Sequence, residues 1–185
     1  MGYGAFGECT GLTEIEIPKT LEKVTTYHYG ENNGAFRGCS NLKEVRFEEG
    51  TKKVAEYLFT NCPGLEKITI PEGIEKIGNG AFAGCGNLTD IIMPGSVTTI
   101  GNSAFESTGK VKKIEIGRGT VTIADNAFKN CNELEEVSLP DTIETIGVNA
   151  FQNDQKITGL KLPKNIKTMG YGAFGECTGL TEIEI

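Results

Sequence analysis

A chain of 185 residues, 38% apolar and 23% charged, is long enough for one ordinary domain with a substantial core. Its formal net charge of −7 speaks against nucleic acid and anionic membrane surfaces as partners, since both need basic patches. No apolar run approaches the roughly 18 residues that span a bilayer, so no membrane insertion is expected, and the opening MGYGAFGECTG has neither the basic region nor the apolar core of a signal peptide.

From its N-terminus onward the chain repeats a single phrase. The marker is Phe, usually after Ala, at Phe6, Phe36, Phe59, Phe82, Phe105, Phe128, Phe151 and Phe174. The first step is 30 residues and the six that follow are 23 each, a regularity that composition alone does not produce. The seven additional residues of the first step lie between Val24 and Phe36. The chain therefore reads as one solenoid with coils near 1–24, 25–54, 55–77, 78–100, 101–123, 124–146, 147–169 and 170–185, and an insertion at 25–33.

Within each coil the apolar residues keep fixed columns. In the coil at 78–100 these are Leu88, six residues after Phe82, then Ile91 and Met93, two apart. A period of two with one apolar face predicts a short strand in every coil. Pro follows that strand at Pro18, Pro71, Pro94, Pro140 and Pro163, where its missing donor and fixed φ stop it. A later apolar column, with Val54, Ile77, Ile100, Ile123 and Ile146, predicts a short second strand. Gly78, Gly101, Gly147 and Gly170 come next, and a tight turn with positive φ is expected there. The Ala-Phe segment opens with Asn, Ser or Asp and predicts a single helical or 3₁₀ turn.

A coil this short cannot bury its own apolar columns, whereas parallel stacking of copies buries them against one another. The predicted fold is thus an α/β repeat solenoid of about eight 23-residue coils, right-handed and curved into a horseshoe. It has one parallel strand ladder, short helical or 3₁₀ turns and short second strands. The pattern I-G-x-x-A-F-x-x-C-x-x-L-x-x-I-x-I-P-x-x-I-x-x-I is whole in residues 77–100 except that Met93 replaces Ile. It resembles the BspA-like leucine-rich repeat of bacterial and protozoan surface proteins, and the resemblance covers essentially the whole chain. Departures are Glu48 and Thr51 in place of Pro and Ile, Leu58 in place of Ala, Gly117 in place of Pro, and a coil at 101–123 without Cys. The resemblance implies a non-enzymatic, extracellular or cell-surface scaffold for protein binding or adhesion. Its partner would be a host or neighbouring-cell surface or matrix protein.

No constellation of acid, base, nucleophile or metal ligands emerges, so no catalytic, cofactor or metal residue is assigned. The six cysteines, Cys9, Cys39, Cys62, Cys85, Cys131 and Cys177, all stand three residues after Phe, with Thr108 and Asp154 filling the same column elsewhere. They form no CxxC pair and have no His partner. Parallel copies point the same way rather than at each other, so free buried thiols are expected. The stretch GNGAFAG at 78–84 has its third Gly misplaced for a dinucleotide-binding loop. Asn87-Leu88-Thr89 matches a glycosylation sequon, but Leu88 belongs to a core column.

The insertion TTYHYGENN at 25–33 holds the single His and two of the five Tyr. Tyr27, His28 and Tyr29 are read either as an exposed aromatic contact site or as a tolerated loop packed on the coil edge. Along the outward strand row, Glu44, Lys67, Asp90, Lys113 and Glu136 alternate in sign, as register and solubility require. Ile92 is the lone apolar residue in the outward rows, a further candidate contact or an ordinary exposed side chain. Residues 1–17 are identical to residues 169–185, at an offset of 168. This fits a piece of a longer array with a 168-residue super-repeat, or engineered matching ends. Neither end has a polar capping coil, so self-association head-to-tail through the identical coils, as a structural array segment, is the alternative expectation.

Overall fold

The structure is a computed structural model that describes residues 1–2, 4–24 and 34–185. The insertion that carries Tyr27, His28 and Tyr29 lies outside the described residues. The chain is a parallel β-solenoid with coils of about 23 residues. Its described strands are short and fall in two columns. One column holds β3 (Lys53–Val54), β4 (Lys76–Ile77), β6 (Thr99–Ile100), β8 (Thr122–Ile123), β10 (Thr145–Ile146) and β12 (Thr168–Met169). The other holds β1 (Glu14–Ile17), β2 (Glu44–Phe47), β5 (Asp90–Ile92), β7 (Lys113–Glu115), β9 (Glu136–Ser138), β11 (Gly159–Lys161) and β13 (Glu182–Glu184). Every pairing is parallel and joins like residues of adjacent coils, as Ile77 with Ile100 and Ile91 with Ile114.

The column expected to be secondary is the continuous one, a six-stranded sheet from β3 to β12. The column expected to be the main ladder is divided into β1–β2, β5–β7–β9 and β11–β13, with one isolated bridge between Lys67 and Asp90. Between the columns runs the Phe stack. Successive rings from Phe6 to Phe174 are stacked within 20° of parallel, from 5.0 Å apart at Phe151–Phe174 to 5.6 Å at Phe59–Phe82. Phe36 through Phe151 are fully buried, as are Leu42, Leu65, Leu88 and Leu134. The core is therefore a set of parallel columns rather than a single cluster.

Among the described residues the Ala-Phe segment forms turns and no helix, which corrects the expected helical or 3₁₀ turn. The reason lies in where its amides go. Ala81 and Ala83 donate to carbonyls three residues back, but Gly80, Phe82 and Gly84 donate to Asn102, Ala104 and Glu106 of the next coil, each at 2.8 Å. A helix needs all these donors within its own segment. Apart from Gly34, the described residues two before and two after Phe take positive φ, such as Gly80 (57°), Gly84 (72°), Asn126 (56°) and Asn130 (62°). Gly and Asn tolerate that region best, which accounts for their recurrence in these columns.

The polar residue that opens the segment serves its neighbour rather than a helix of its own. Asn79 Oδ1 accepts the Asn102 N–H at 2.9 Å, Asn102 Oδ1 that of Asp125 at 3.2 Å, and Asp125 Oδ1 that of Val148 at 2.8 Å. The glycine column at Gly78, Gly101, Gly147 and Gly170 is also corrected: none of the four has positive φ. A Cβ on Gly101 would lie 2.8 Å from the Asn79 nitrogen, and one on Gly170 2.3 Å from that of Val148. Close approach of the preceding coil, not backbone conformation, selects Gly there.

Candidate functional site

The outward face of the β5–β7–β9 sheet carries the one sequence-derived contact residue that is described, Ile92. It is 63% exposed and pairs in register with Glu115. Charges surround it. Lys113 lies beside Asp90 and Glu136 in register, 3.1 Å from Glu115 and 3.6 Å from Glu136. Its hydrogen bond to Glu115, then the charges of Glu115 and Glu136, hold the ammonium above its ordinary range. The same device recurs one coil apart along the molecule, in Lys52–Glu75 at 3.3 Å, Lys112–Glu135 at 3.5 Å and Lys167–Glu144 at 2.8 Å. Lys43 pairs with Glu66, whose carboxyl that hydrogen bond holds below the usual range. Exposed pairs such as these fix register more than they add stability.

Where the outward row reaches Gly159 it has no side chain. An open depression forms there, lined by Glu136, Val137, Ser138, Thr158 and Gly159. A glycine inside a row of charges was the sequence signal for it. The sequon asparagine is engaged within the stack: Asn87 Nδ2 donates to the Pro63 carbonyl at 2.6 Å. Val148 and Tyr171, 39% and 88% exposed, stand where the Asn–Asp ladder gives way to apolar residues.

In the thiol column, Cys39, Cys62, Cys85, Cys131 and Cys177 are buried free thiols, whereas Cys9 is exposed and departs from the expectation of burial. Each buried thiol donates to the carbonyl of the preceding coil's Phe, as Cys85 to Phe59 at 3.1 Å and Cys177 to Phe151 at 3.1 Å. Burial raises the Cys39 and Cys131 thiols above their ordinary range and takes Cys177 up to about 11, so these are poor nucleophiles. Among the described residues no group of three or more His, Cys, Asp or Glu is placed to hold a metal ion. No described helix is long and apolar enough to cross a membrane.

Asp154 is the residue whose importance the sequence left unmarked. It is fully buried, its Oδ1 accepts the Cys131 N–H at 2.7 Å, and its Oδ2 has no hydrogen-bond partner among the described residues. Burial pushes its carboxyl up to about 8, opposed only by that Cys131 bond. The signal was an acid in a core column.

Stacked coils with parallel strands, an aromatic spine and turn segments crossing from coil to coil define a leucine-rich-repeat solenoid. The family model of the BspA type leucine rich repeat region matches residues 1–133 and 98–185 with six copies, and the chain belongs to that family. Among solved structures it is similar to the T. pallidum leucine rich repeat protein, at 25% identity and a TM-score of 0.70 over 98% of this chain and 71% of that one. It also resembles the pneumococcal vaccine antigen PcpA, at 24% identity and a TM-score of 0.56 over 93% of this chain and 50% of that one. A leucine-rich repeat protein from Bacteroides ovatus gives 22% identity and a TM-score of 0.56, covering 100% of this chain and 63% of that one. The chain thus spans half to about seven-tenths of these proteins. Among curated protein sequences none matches it.

Proposed function

We propose that the chain is a non-enzymatic protein-binding scaffold of a surface-exposed protein, contacting a host or neighbouring-cell surface or matrix protein. The observation that carries this reading is membership of the BspA-type leucine-rich repeat family along the whole chain. The stack of Phe6, Phe36, Phe59, Phe82, Phe105, Phe128, Phe151 and Phe174 supports a count of eight coils, in a solenoid read by its family likeness as right-handed and curved. Such a body holds weak contacts at fixed spacing, so that their avidity exceeds the affinity of any one of them. Contact is assigned to departures from the repeat: Tyr27, His28 and Tyr29 in the insertion, and Ile92 on the outward sheet. The immobilised chain is expected to capture one or more extracellular-matrix proteins. A chain that captures none, yet self-associates and stays associated on dilution, would support the second reading below.

A head-to-tail array is the second reading, favoured by the identity of residues 1–17 and 169–185. In the first coil, Glu8 pairs with Arg37 at 3.2 Å and Glu14 with Arg46 at 3.6 Å, Phe6 stacks on Phe36, and the Phe6 carbonyl accepts the Cys39 thiol. Residues 169–185 of a second copy carry the same side chains and can take the same seat. Exchange in this form keeps the attractive pairs. Stacking one coil directly on the other would set Glu176 and Glu182 against Glu8 and Glu14 instead. Deleting residues 1–17 is then expected to change the assembly, while scattering from a monomer at high concentration would rule the array out.

A further inference from the structure

In the column three residues after Phe, side chains follow a fixed register. Cys62 donates to the Phe36 carbonyl at 3.0 Å, Cys85 to Phe59 at 3.1 Å, Cys131 to Phe105 at 3.5 Å and Cys177 to Phe151 at 3.1 Å. Each bond reaches back 26 residues. The same register sets residue 154 toward the Phe128 carbonyl. Among the described residues no donor meets that carbonyl. In other coils the amides of Cys39, Cys85 and Cys177 donate to the Phe of their own coil, but the Cys131 amide turns to Asp154 Oδ1 instead. A buried carbonyl without a donor thus stands in register with a buried carboxyl oxygen without a partner. Two acceptors cannot satisfy each other, and leaving both unmet is costly; one proton on the carboxyl resolves both.

We propose that Asp154 is built into the fold as a neutral carboxylic acid that donates from Oδ2 to the Phe128 carbonyl in place of the column's thiol, and that loss of this proton loosens the junction between the coils at 131–139 and 154–162. The titratable groups packed against Asp154 are the thiols of Cys131 in one flanking coil and Cys177 in the other, both raised by burial and both neutral at physiological pH. No cation contributes to its titration, so an ionised Asp154 has only the Cys131 N–H to stabilise it.

The charge would arise at a junction where the outward strand column is interrupted. Strands β9 and β11 of these two coils belong to different sheets, and Val137 and Leu139 are only half-buried, whereas Ile114 and Ile116 one coil earlier are buried. Gly159 leaves its outward position empty at the same junction. A single proton therefore bears on a junction that has no strand pairing in the outward column.

The test follows the ¹³C carboxyl signal of Asp154 in the native chain through a pH titration, alongside hydrogen exchange at the Cys131 amide corrected for its intrinsic pH dependence. The expected midpoint is near 8, with at least a tenfold loss of Cys131 protection above it. Asp154→Asn keeps a donor and cannot ionise, and Asp154→Cys restores the column; both are expected to hold protection across the same range. A midpoint near the ordinary value of about 4 in the folded chain, or an equal loss of protection in Asp154→Asn, would overturn the proposal.

Discussion

The ring of Phe105 lies on that of Phe128 with centroids 5.4 Å apart and planes 3° from parallel. Both are fully buried, and each also touches the ring on its far side, so one substitution opens two interfaces of the stack. In a solenoid each coil is held only by its neighbours, and such a defect cannot be shared around a larger core. Phe105→Ala is expected to cost about 3–5 kcal/mol. Phe6, 42% exposed at the end of the stack, has one ring neighbour among the described residues, and Phe6→Ala should cost clearly less. Denaturant midpoints of the two variants measure the difference.

Gly101 and Ala124 occupy the same column, four residues before Phe105 and Phe128. A Cβ at Gly101 meets the Asn79 nitrogen at 2.8 Å, so the preceding coil must shift to admit it. Gly101→Ala is expected to destabilise by about 1–3 kcal/mol, as overpacking does. Ala124→Gly should cost no more than about 1 kcal/mol. Chemical denaturation of the pair separates close approach from a need for positive φ: a neutral Gly101→Ala would contradict the packing reason.

The legible features of this chain were those that burial repeats. Phe82, Leu88, Ile91 and Ile100 recur at fixed offsets because each lies on its own copies, and the two strand columns follow from that. The helical turn was misread because Asn79 and Asn102 look like local caps, while their acceptors face a donor 23 residues onward. Local sequence offers no way to weigh a partner at that distance. Gly101 was misassigned for a related reason, since its constraint is the backbone of another coil. Asp154 stood openly in the thiol column, yet only the geometry reveals that the Phe128 carbonyl has no donor among the described residues and that the Cys131 amide is diverted. Of the residues proposed for contact, Ile92 is placed on an exposed sheet, and Tyr27, His28 and Tyr29 lie outside the described residues.

Lys113 is the cation among Asp90, Glu115 and Glu136 on the outward sheet. Lys113→Ala should change stability little, because exposed pairs contribute little. Lys113→Glu sets a fourth carboxylate among three and is expected to lower the denaturation midpoint at low salt, with the deficit shrinking as salt screens the repulsion. A deficit independent of salt would point to lost packing by the lysine stem instead.

Opposite shifts predict a stability maximum on the acid side of neutrality. The Asp154 carboxyl is raised to about 8, so its contribution is whole below its ordinary value near 4 and is lost as pH rises through about 8. The buried position makes this loss on the order of a few kcal/mol. Glu44, Glu66, Glu133 and Asp141 are lowered, the three glutamates first by hydrogen bonds from Arg46, Lys43 and Lys156, and Asp141 first by the Lys164 amide. Their contributions hold above the ordinary carboxylate range and fade as pH falls below it. The melting temperature should therefore peak between about pH 4 and 6, and Asp154→Asn should flatten the alkaline limb alone.

Binding is expected to reside where the repeat is broken rather than along its regular face. The most direct measurement is the affinity of the native chain, of Tyr27→Ala/His28→Ala/Tyr29→Ala, and of Ile92→Lys for a captured extracellular-matrix protein, with circular dichroism confirming that each folds. At least a tenfold loss in the triple variant and a smaller one in Ile92→Lys are expected. Undiminished binding by a folded triple variant would contradict the assignment of contact to the insertion.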